Sequence, residues 1–281
     1  MEPTMMHSAK LGLAALALVI GTASGLAHAA EGARAGEVTL MTGRGTASSA
    51  DGAVRTLSTG DAVYSGEIVS SGSNSYVSLK FVDGGLVLLR PRTRFEIQQY
   101  AFTPAAAAAA PPPVAPVPNA PGKIGGGTPA IPPPPAAPAV TTASSESGGS
   151  TRAFFRLLKG SFRAVSGLIG KGNQDDYRVS TPVATIGIRG TDYFAQIIDA
   201  SFAKDPVLKA SLPAGASAEG GLYVEQFEGT TVITNNAGKQ SFVGAGQHLV
   251  TLSGGTQLNV PRPKVISNDP PKNPKDMKCN Q

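Results

Sequence analysis

Residues 181–197 read TPVATIGIRGTDYFAQI, and the fold turns on whether this is one long strand with a bend or a polar site between two elements. Pro182 holds Thr181 in extended geometry and offers no N–H to a ladder, which suits a strand start or an edge. β-branched and aromatic residues carry a strand pattern through Ile186 and Ile188 and resume it at Tyr193, Phe194 and Ile197. Between the two runs stand Arg189, Gly190, Thr191 and Asp192. Gly187 and Gly190 interrupt the β-rich pattern, the sign of a bulge or a close backbone approach. Thr191 and Asp192 have short polar side chains able to bond backbone groups where a ladder is broken. Arg189 has Asp192, or an acidic partner, to pair with. The four residues are read as a structural turn, with a binding contact as the second reading.

Outward from this stretch the pattern stays strand-like. SYVSLKFVDGGLVLLR (75–90) alternates Val77, Leu79 and Phe81 with Tyr76, Ser78 and Lys80, as a strand with one buried face does. Asp83-Gly84 then signals a tight hairpin, and Asn235 to Gly238 signals another between Thr230–Thr234 and Ser241–Val243. Arg152 to Leu158 alone could be read as a helical turn. The fold class is therefore all-β, a single β-sandwich or open barrel of short strands. Residues 103–150 break it: AAAAAA, PPPVAPVPNAPGKIGGG, IPPPPAAPAV and TTASSESGGS form a Pro/Ala/Gly/Ser-rich insert expected to be disordered. The expected organisation is a β-domain in two parts, 30–102 and 151–252, followed by a basic, disordered tail, 253–281.

The N-terminus carries Lys10, then LGLAALALVIGTASGLA, then Ala27-His28-Ala29. These are the n-region, h-region and A-x-A site of a secretory signal peptide spanning 1–29, cleaved after Ala29. Retention as an anchor is the alternative, although Gly21, Thr22, Ser24 and Gly25 break the apolar run. No other segment is apolar enough to span a membrane, so no integral membrane segment is expected after cleavage, and the destination is the periplasm or the exterior. The formal net charge is +5. From Pro261 onward Arg262, Lys264, Lys272, Lys275 and Lys278 stand against Asp269 and Asp276, so much of that charge lies in the tail. A Pro- and Asn-rich basic tail on an exported chain gives no reason to expect a nucleic-acid partner. The single cysteine, Cys279, makes no internal disulfide, and the core must hold the fold unaided.

STGDAVYSGEIVSSGSNSYVSLKFVDGGLVLLRPRTRFEI (58–97), FRLLKGSFRAV (155–165), YRVSTPVATIGIRGTDYFAQI (177–197), VEQFEGTTVITN (224–235) and VGAGQHLV (243–250) follow in an order that resembles the FecR domain family. The blocks cover most of residues 36–252 apart from the insert and the stretch from Asp199 to Gly220. The resemblance implies an exported all-β module; founding members lie in the periplasm and pass a ligand signal from an outer-membrane receptor to a sigma factor. Signalling members have a cytoplasmic domain ahead of a membrane helix, whereas ten residues precede Leu11 here. The Pro/Ala-rich insert is a second departure. The chain is accordingly read as a free-standing, secreted member.

Catalytic sets are missing from the sequence. His248, in AGQHLVTL, is the one histidine after residue 29, and no G-x-S-x-G elbow accompanies it. Neither C-x-x-C nor H-E-x-x-H spacing occurs, so no metal is expected. Asp175 and Asp176 are adjacent and diverge in an extended chain, a poor acid–base pair that reads as a solvated loop, with weak calcium binding as the alternative. Gly125 to Gly127 lack the strand and helix of a phosphate cradle, and no cofactor is expected. The tyrosines, with no tryptophan, read as half-buried strand residues. The expectation is a non-catalytic binding module for an envelope protein or glycan, in envelope signalling. A structural spacer of the envelope and, more distantly, a His248-dependent hydrolase are the alternatives.

Overall fold

The computed structural model describes residues 32–103 and 151–276. The expected signal peptide, the insert beyond Thr103, and the last five residues with Cys279 lie outside the described residues. The first part contributes β1 (Arg34–Thr42), β2 (Gly45–Ser48), β3 (Val54–Thr56), β4 (Ala62–Tyr64), β5 (Ile68–Ser71), β6 (Tyr76–Phe81), β7 (Leu86–Leu89) and β8 (Arg94–Ala101). The second contributes β9 (Arg152–Lys159), β10 (Ser161–Val165), β11 (Tyr177–Ser180), β12 (Ala184–Ile197), β13 (Leu222–Asn235), β14 (Gln240–Gly244), β15 (His248–Thr251) and β16 (Gln257–Asn259). Three short helices, α1 (Leu168–Lys171), α2 (Pro206–Ser211) and α3 (Lys264–Asn268), complete it.

The fold is all-β, one curled open sheet, and β12 is its axis. Along one edge its first half pairs with β11, which leads through β9, β8, β5 and β2 to β3. Its second half pairs on that same edge with β10, which leads through β7, β6 and β1 to β4. The other edge is lined from end to end by β13, which carries β14 on one half and β15 with β16 on the other.

A single core lies between the two arms and draws on both parts of the chain. Val63, Leu79 and Phe95 come from before the insert, and Phe155, Phe162 and Ile186 from after it. Aromatic rings stitch the two parts together: Phe81–Phe155 at 5.0 Å, Phe95–Phe162 at 5.2 Å and Phe95–Phe155 at 5.3 Å between centroids. Each such pair adds about 0.5–1.5 kcal/mol beyond its burial. In β8, a register shift between Ile97 and Gln99 lets the inward side pass from Phe95 and Ile97 to Tyr100.

A second, smaller core sits on the opposite face of β12, β13 and β15. Phe194, Tyr223 and Val250 point into it and are covered by Phe202, Leu208, Val260 and Ile266. The stretch from Asp199 to Gly220 is thus a cover built from a 3-10 turn and α2. Asp205 caps α2, accepting from the N–H groups of Val207 at 2.9 Å and Leu208 at 3.2 Å, with Pro206 at the first helical position. The other Asp205 oxygen accepts from Val265 N–H at 2.7 Å and so ties α2 to α3.

Two expectations are corrected. Arg152–Leu158 is strand, not a helical turn, because Ala153, Phe155 and Leu157 fill the core at period two. The tail is not disordered over 253–276: β16 extends the sheet, and α3 with buried Val260 and Ile266 closes the second core. Among the described residues no helix is long and apolar enough to cross a membrane.

The β12–β13 ladder is broken once, between Arg189 and Tyr193, where the register shifts twice. Gly190 has φ +55° there, and Gly229 on β13 has φ +75°. The close approach is at Gly229, where a Cβ would lie 2.4 Å from the Gly190 carbonyl oxygen. Gly187 lies at neither a bulge nor a close approach, since it pairs regularly with Val232 and a Cβ there would meet nothing nearer than 3.8 Å.

Because the two parts share one core, fragments 32–103 and 151–276 are each expected to lack a sharp thermal transition, while the full chain unfolds in one. Gly190→Val should lower stability by about 1–3 kcal/mol through its left-handed φ, and Gly229→Ala should cost at least as much. Calorimetry of the fragments and denaturant melts of the variants check both. A cooperative melt from either fragment, or a variant melting like wild type, would contradict the shared core or the bend.

Candidate functional site

The bend does not gather Arg189, Gly190, Thr191 and Asp192 into one site. Gly190 turns the chain, Thr191 and Asp192 are buried, and Arg189 is exposed to solvent. Thr191 is held through its backbone: its N–H donates to Ser166 Oγ at 2.7 Å, and its carbonyl accepts from Ser166 N–H at 2.9 Å. Asp192 pairs with Arg163 of β10, not with Arg189. Arg163 Nε donates to Asp192 Oδ1 at 2.8 Å and Nη2 to Oδ2 at 2.9 Å, a bidentate pair with side chains 11% and 4% exposed. The remaining Arg163 nitrogen donates to the Pro271 carbonyl at 2.9 Å, and the guanidinium lies 3.8 Å from the centre of the Phe227 ring.

The same buried face carries Glu225 and His248, neighbours across β13 and β15. His248 Nδ1 is 3.1 Å from the Tyr223 hydroxyl, and the two rings stack with a 9° interplanar angle. Burial, aided by Arg262, pushes the imidazole below its ordinary range. This is a tyrosine–histidine pair rather than a Ser-His-Asp arrangement. Glu225 Oε1 lies 3.0 Å from Arg262 Nε, yet burial outweighs Arg262 and Arg163 and raises its carboxyl above the usual range. Around Arg163 the tail runs over this face as a strap, with Asp269 bound to Arg90 and Lys272 lying 4.7 Å from the Tyr76 ring centre.

In the main core Asp83 accepts from the Tyr100 hydroxyl at 2.9 Å and from Gly85 and Ile169 N–H groups, closing the β6–β7 hairpin against α1. Tyr177 and Tyr193 bond each other at 3.1 Å. Burial drives all three phenols above their normal range, so they act here as fixed hydrogen-bonding groups. Asp176 falls with Asp175 in a 3-10 turn in which Asn173 caps the Asp175 N–H. Among the described residues no three His, Cys, Asp or Glu side chains come together as a metal-ligand set.

Arg189 leads to a different feature. Register across five strands aligns Phe154 (β9), Arg178 (β11), Gly187 (β12), Val232 (β13) and Phe242 (β14) in one row on the outer face. Having no side chain, Gly187 leaves a furrow in this row, an open groove of about 260 Å³ that Arg189, Thr185 and Thr234 also line. Arg178 is stacked on Phe154, 4.8 Å from the ring centre. Phe242, on a strand paired with β13 alone among the described residues, is 63% exposed. Of this groove the sequence singles out Arg189, Gly187 and Asp175; Arg178, Val232 and Phe242 are visible in it only as outward members of alternating strands. Arg163 was missed altogether, although its place between Phe162 and Ala164 in a strand was a hint.

No protein-family model matches the chain, and no curated protein matches it; the FecR resemblance therefore rests on its sequence blocks. Two crystal structures of a chain from Parabacteroides distasonis ATCC 8503, provisionally described as an anti-sigma factor, are similar at 9% identity with TM-scores of 0.36 and 0.37. Both comparisons cover 68% of this chain, which spans 58% of theirs. A cell surface anchoring domain is similar over 22% of this chain and 83% of its own length, at 33% identity and TM-score 0.22.

Asp192→Ala should destabilise the protein by about 3–5 kcal/mol, because it leaves the Arg163 charge buried and unpaired, and urea melts measure this. Glu225 has the opposite sense. With its folded-state pKa raised, the stability it contributes is full below the unfolded value and is lost as pH rises through the folded one. Glu225→Gln should therefore melt higher than wild type at pH 7, and the difference should vanish below the ordinary glutamate value of about 4.3. Thermal melts across that pH range check the sign.

Proposed function

We propose that this chain is a non-catalytic, FecR-like β-module that docks another component of the cell envelope through the outer-face groove. The observation that carries this reading is the different treatment of charge at the two ends of the sheet face that points away from the main core. On the strap side Arg90, Arg163 and Arg262 are each engaged with an acid. In the groove Arg178 and Arg189 have no carboxylate partner among the described residues, and they stand beside exposed Phe242. Buried charges that are paired hold a fold, whereas unpaired cations grouped with an exposed aromatic ring are the usual equipment of a recognition surface.

The reading of residues 1–29 as a signal peptide supports export, and the FecR-like blocks support a role in envelope signalling. Export predicts that the mature protein begins at Ala30, which mass spectrometry of the periplasmic fraction checks; a chain retaining residues 1–29 would argue for an anchor. Docking predicts that a partner from envelope extracts is retained by the wild-type protein and lost by an Arg189→Glu/Phe242→Asp variant that still folds. Equal retention by both proteins would move the docking surface elsewhere.

A further inference from the structure

Resting on that docking reading, we infer that the groove is a subsite for a carboxylated oligosaccharide. Its acid group meets Arg178 and Arg189, and one face of a sugar ring lies on Phe242 and Val232.

The lining is mixed in a way that a purely apolar or purely anionic partner does not require. Thr185 and Thr234 are register partners, Gln240 faces Thr234 from β14, and Asp175 stands at the β11 end. None of these four side chains, nor those of Arg178 and Arg189, hydrogen-bonds or ion-pairs with another described residue. The groove thus offers hydroxyls that both donate and accept, an amide that does the same, two cationic forks and one carboxylate. A polyhydroxylated ligand uses all of these. Two arginines against one aspartate leave a net positive site, which calls for an acid on that ligand.

Placement agrees with the chemistry. Arg178 and Gly187 are neighbours on adjacent strands, and Arg189 lies two residues further along the same face of β12. Both guanidinium groups therefore approach the furrow from its β11–β12 side. Phe154 under Arg178 limits where that fork can point, so less freedom is lost when it binds. On the other side, Val232 and Phe242 form an apolar shelf two strands wide, about 10 Å across at the usual interstrand spacing. An acid at one end and a C–H face at the other match a uronic-acid unit. The absent side chain at Gly187 gives the ring its depth.

Titration calorimetry on the full mature protein tests this with oligogalacturonate and oligoglucuronate, the methyl ester of the former, and an oligoglutamate peptide of similar charge. The expected result is saturable binding of a uronate, weakened about tenfold or more by esterification and by Arg189→Ala or Arg178→Ala, each removing a charge-assisted hydrogen bond. Phe242→Ser should weaken it comparably. Affinity should also fall between about 0.05 and 0.3 M salt. All three residues are on the surface, so the variants should melt like wild type; should one not, the esterified probe on unaltered protein still decides the matter. Ester and acid binding equally would overturn the role of the arginines. Oligoglutamate binding as tightly as the uronates would make the occupant an acidic polypeptide, and no saturable uronate binding would end the proposal. Loss of envelope-partner capture in the groove variant, without uronate binding, would leave docking standing and remove only the saccharide.

Discussion

The bend in the β12–β13 ribbon, clamped by the buried Arg163–Asp192 pair, is the constraint on which the other parts of the molecule depend. A strand that serves two arms must change direction without losing its partners on either side. The chain does so by shifting the β12–β13 register twice at one place, where Gly190 adopts a conformation open to glycine and Gly229 lets the two backbones pass. A broken ladder leaves backbone groups to satisfy, and Ser166 takes up those of Thr191. Arg163 then ties the kink to β10 and, through Pro271, to the end of the chain. Remove the clamp and the arms, the second core and the strap lose their common reference.

The two halves of this ribbon's outer side, the side away from the main core, are equipped for different work. On one, charge is buried, paired and sealed by the tail, an arrangement that favours a single geometry but is costly to leave half-made. On the other, alternation sends the odd residues of β12 outward: Thr185, Gly187 and Arg189. That half has no cover among the described residues. One strand thereby holds the fold with Asp192 and presents a recognition surface with Arg189, three residues apart.

Much of this was legible in the sequence, for reasons that can be named. Period-two alternation, Asp83-Gly84 and Asn235–Gly238 gave strands and hairpins, and Gly190 in a β-rich run marked the bend. What local pattern cannot supply is pairing between distant residues. Arg163 and Asp192 lie 29 positions apart, and nothing local to either names the other. The tail misled because its prolines and lysines match the composition of a solvated end, whereas Ile266 and the arginines of other strands hold it down. The groove was hidden for a related reason: its row crosses five strands, and each member looks like an ordinary outward residue until the registers are known.

The insert enters and leaves the fold at a narrow neck. Ala101 and Arg152 are paired neighbours on β8 and β9, and Thr103 N–H reaches Thr151 Oγ1 at 3.4 Å. Its two ends are therefore held one strand spacing apart by a ladder that is complete without it. The entropy of closing such a connection grows only with the logarithm of its length, about 0.6 kcal/mol for each doubling. Lengthening, shortening or replacing the sequence between the ends thus perturbs folding little, and selection can act on that segment almost independently of the β-domain. In evolutionary terms the β8–β9 neck is a socket, a place where a foreign sequence can be carried without the sheet having to be redesigned around it.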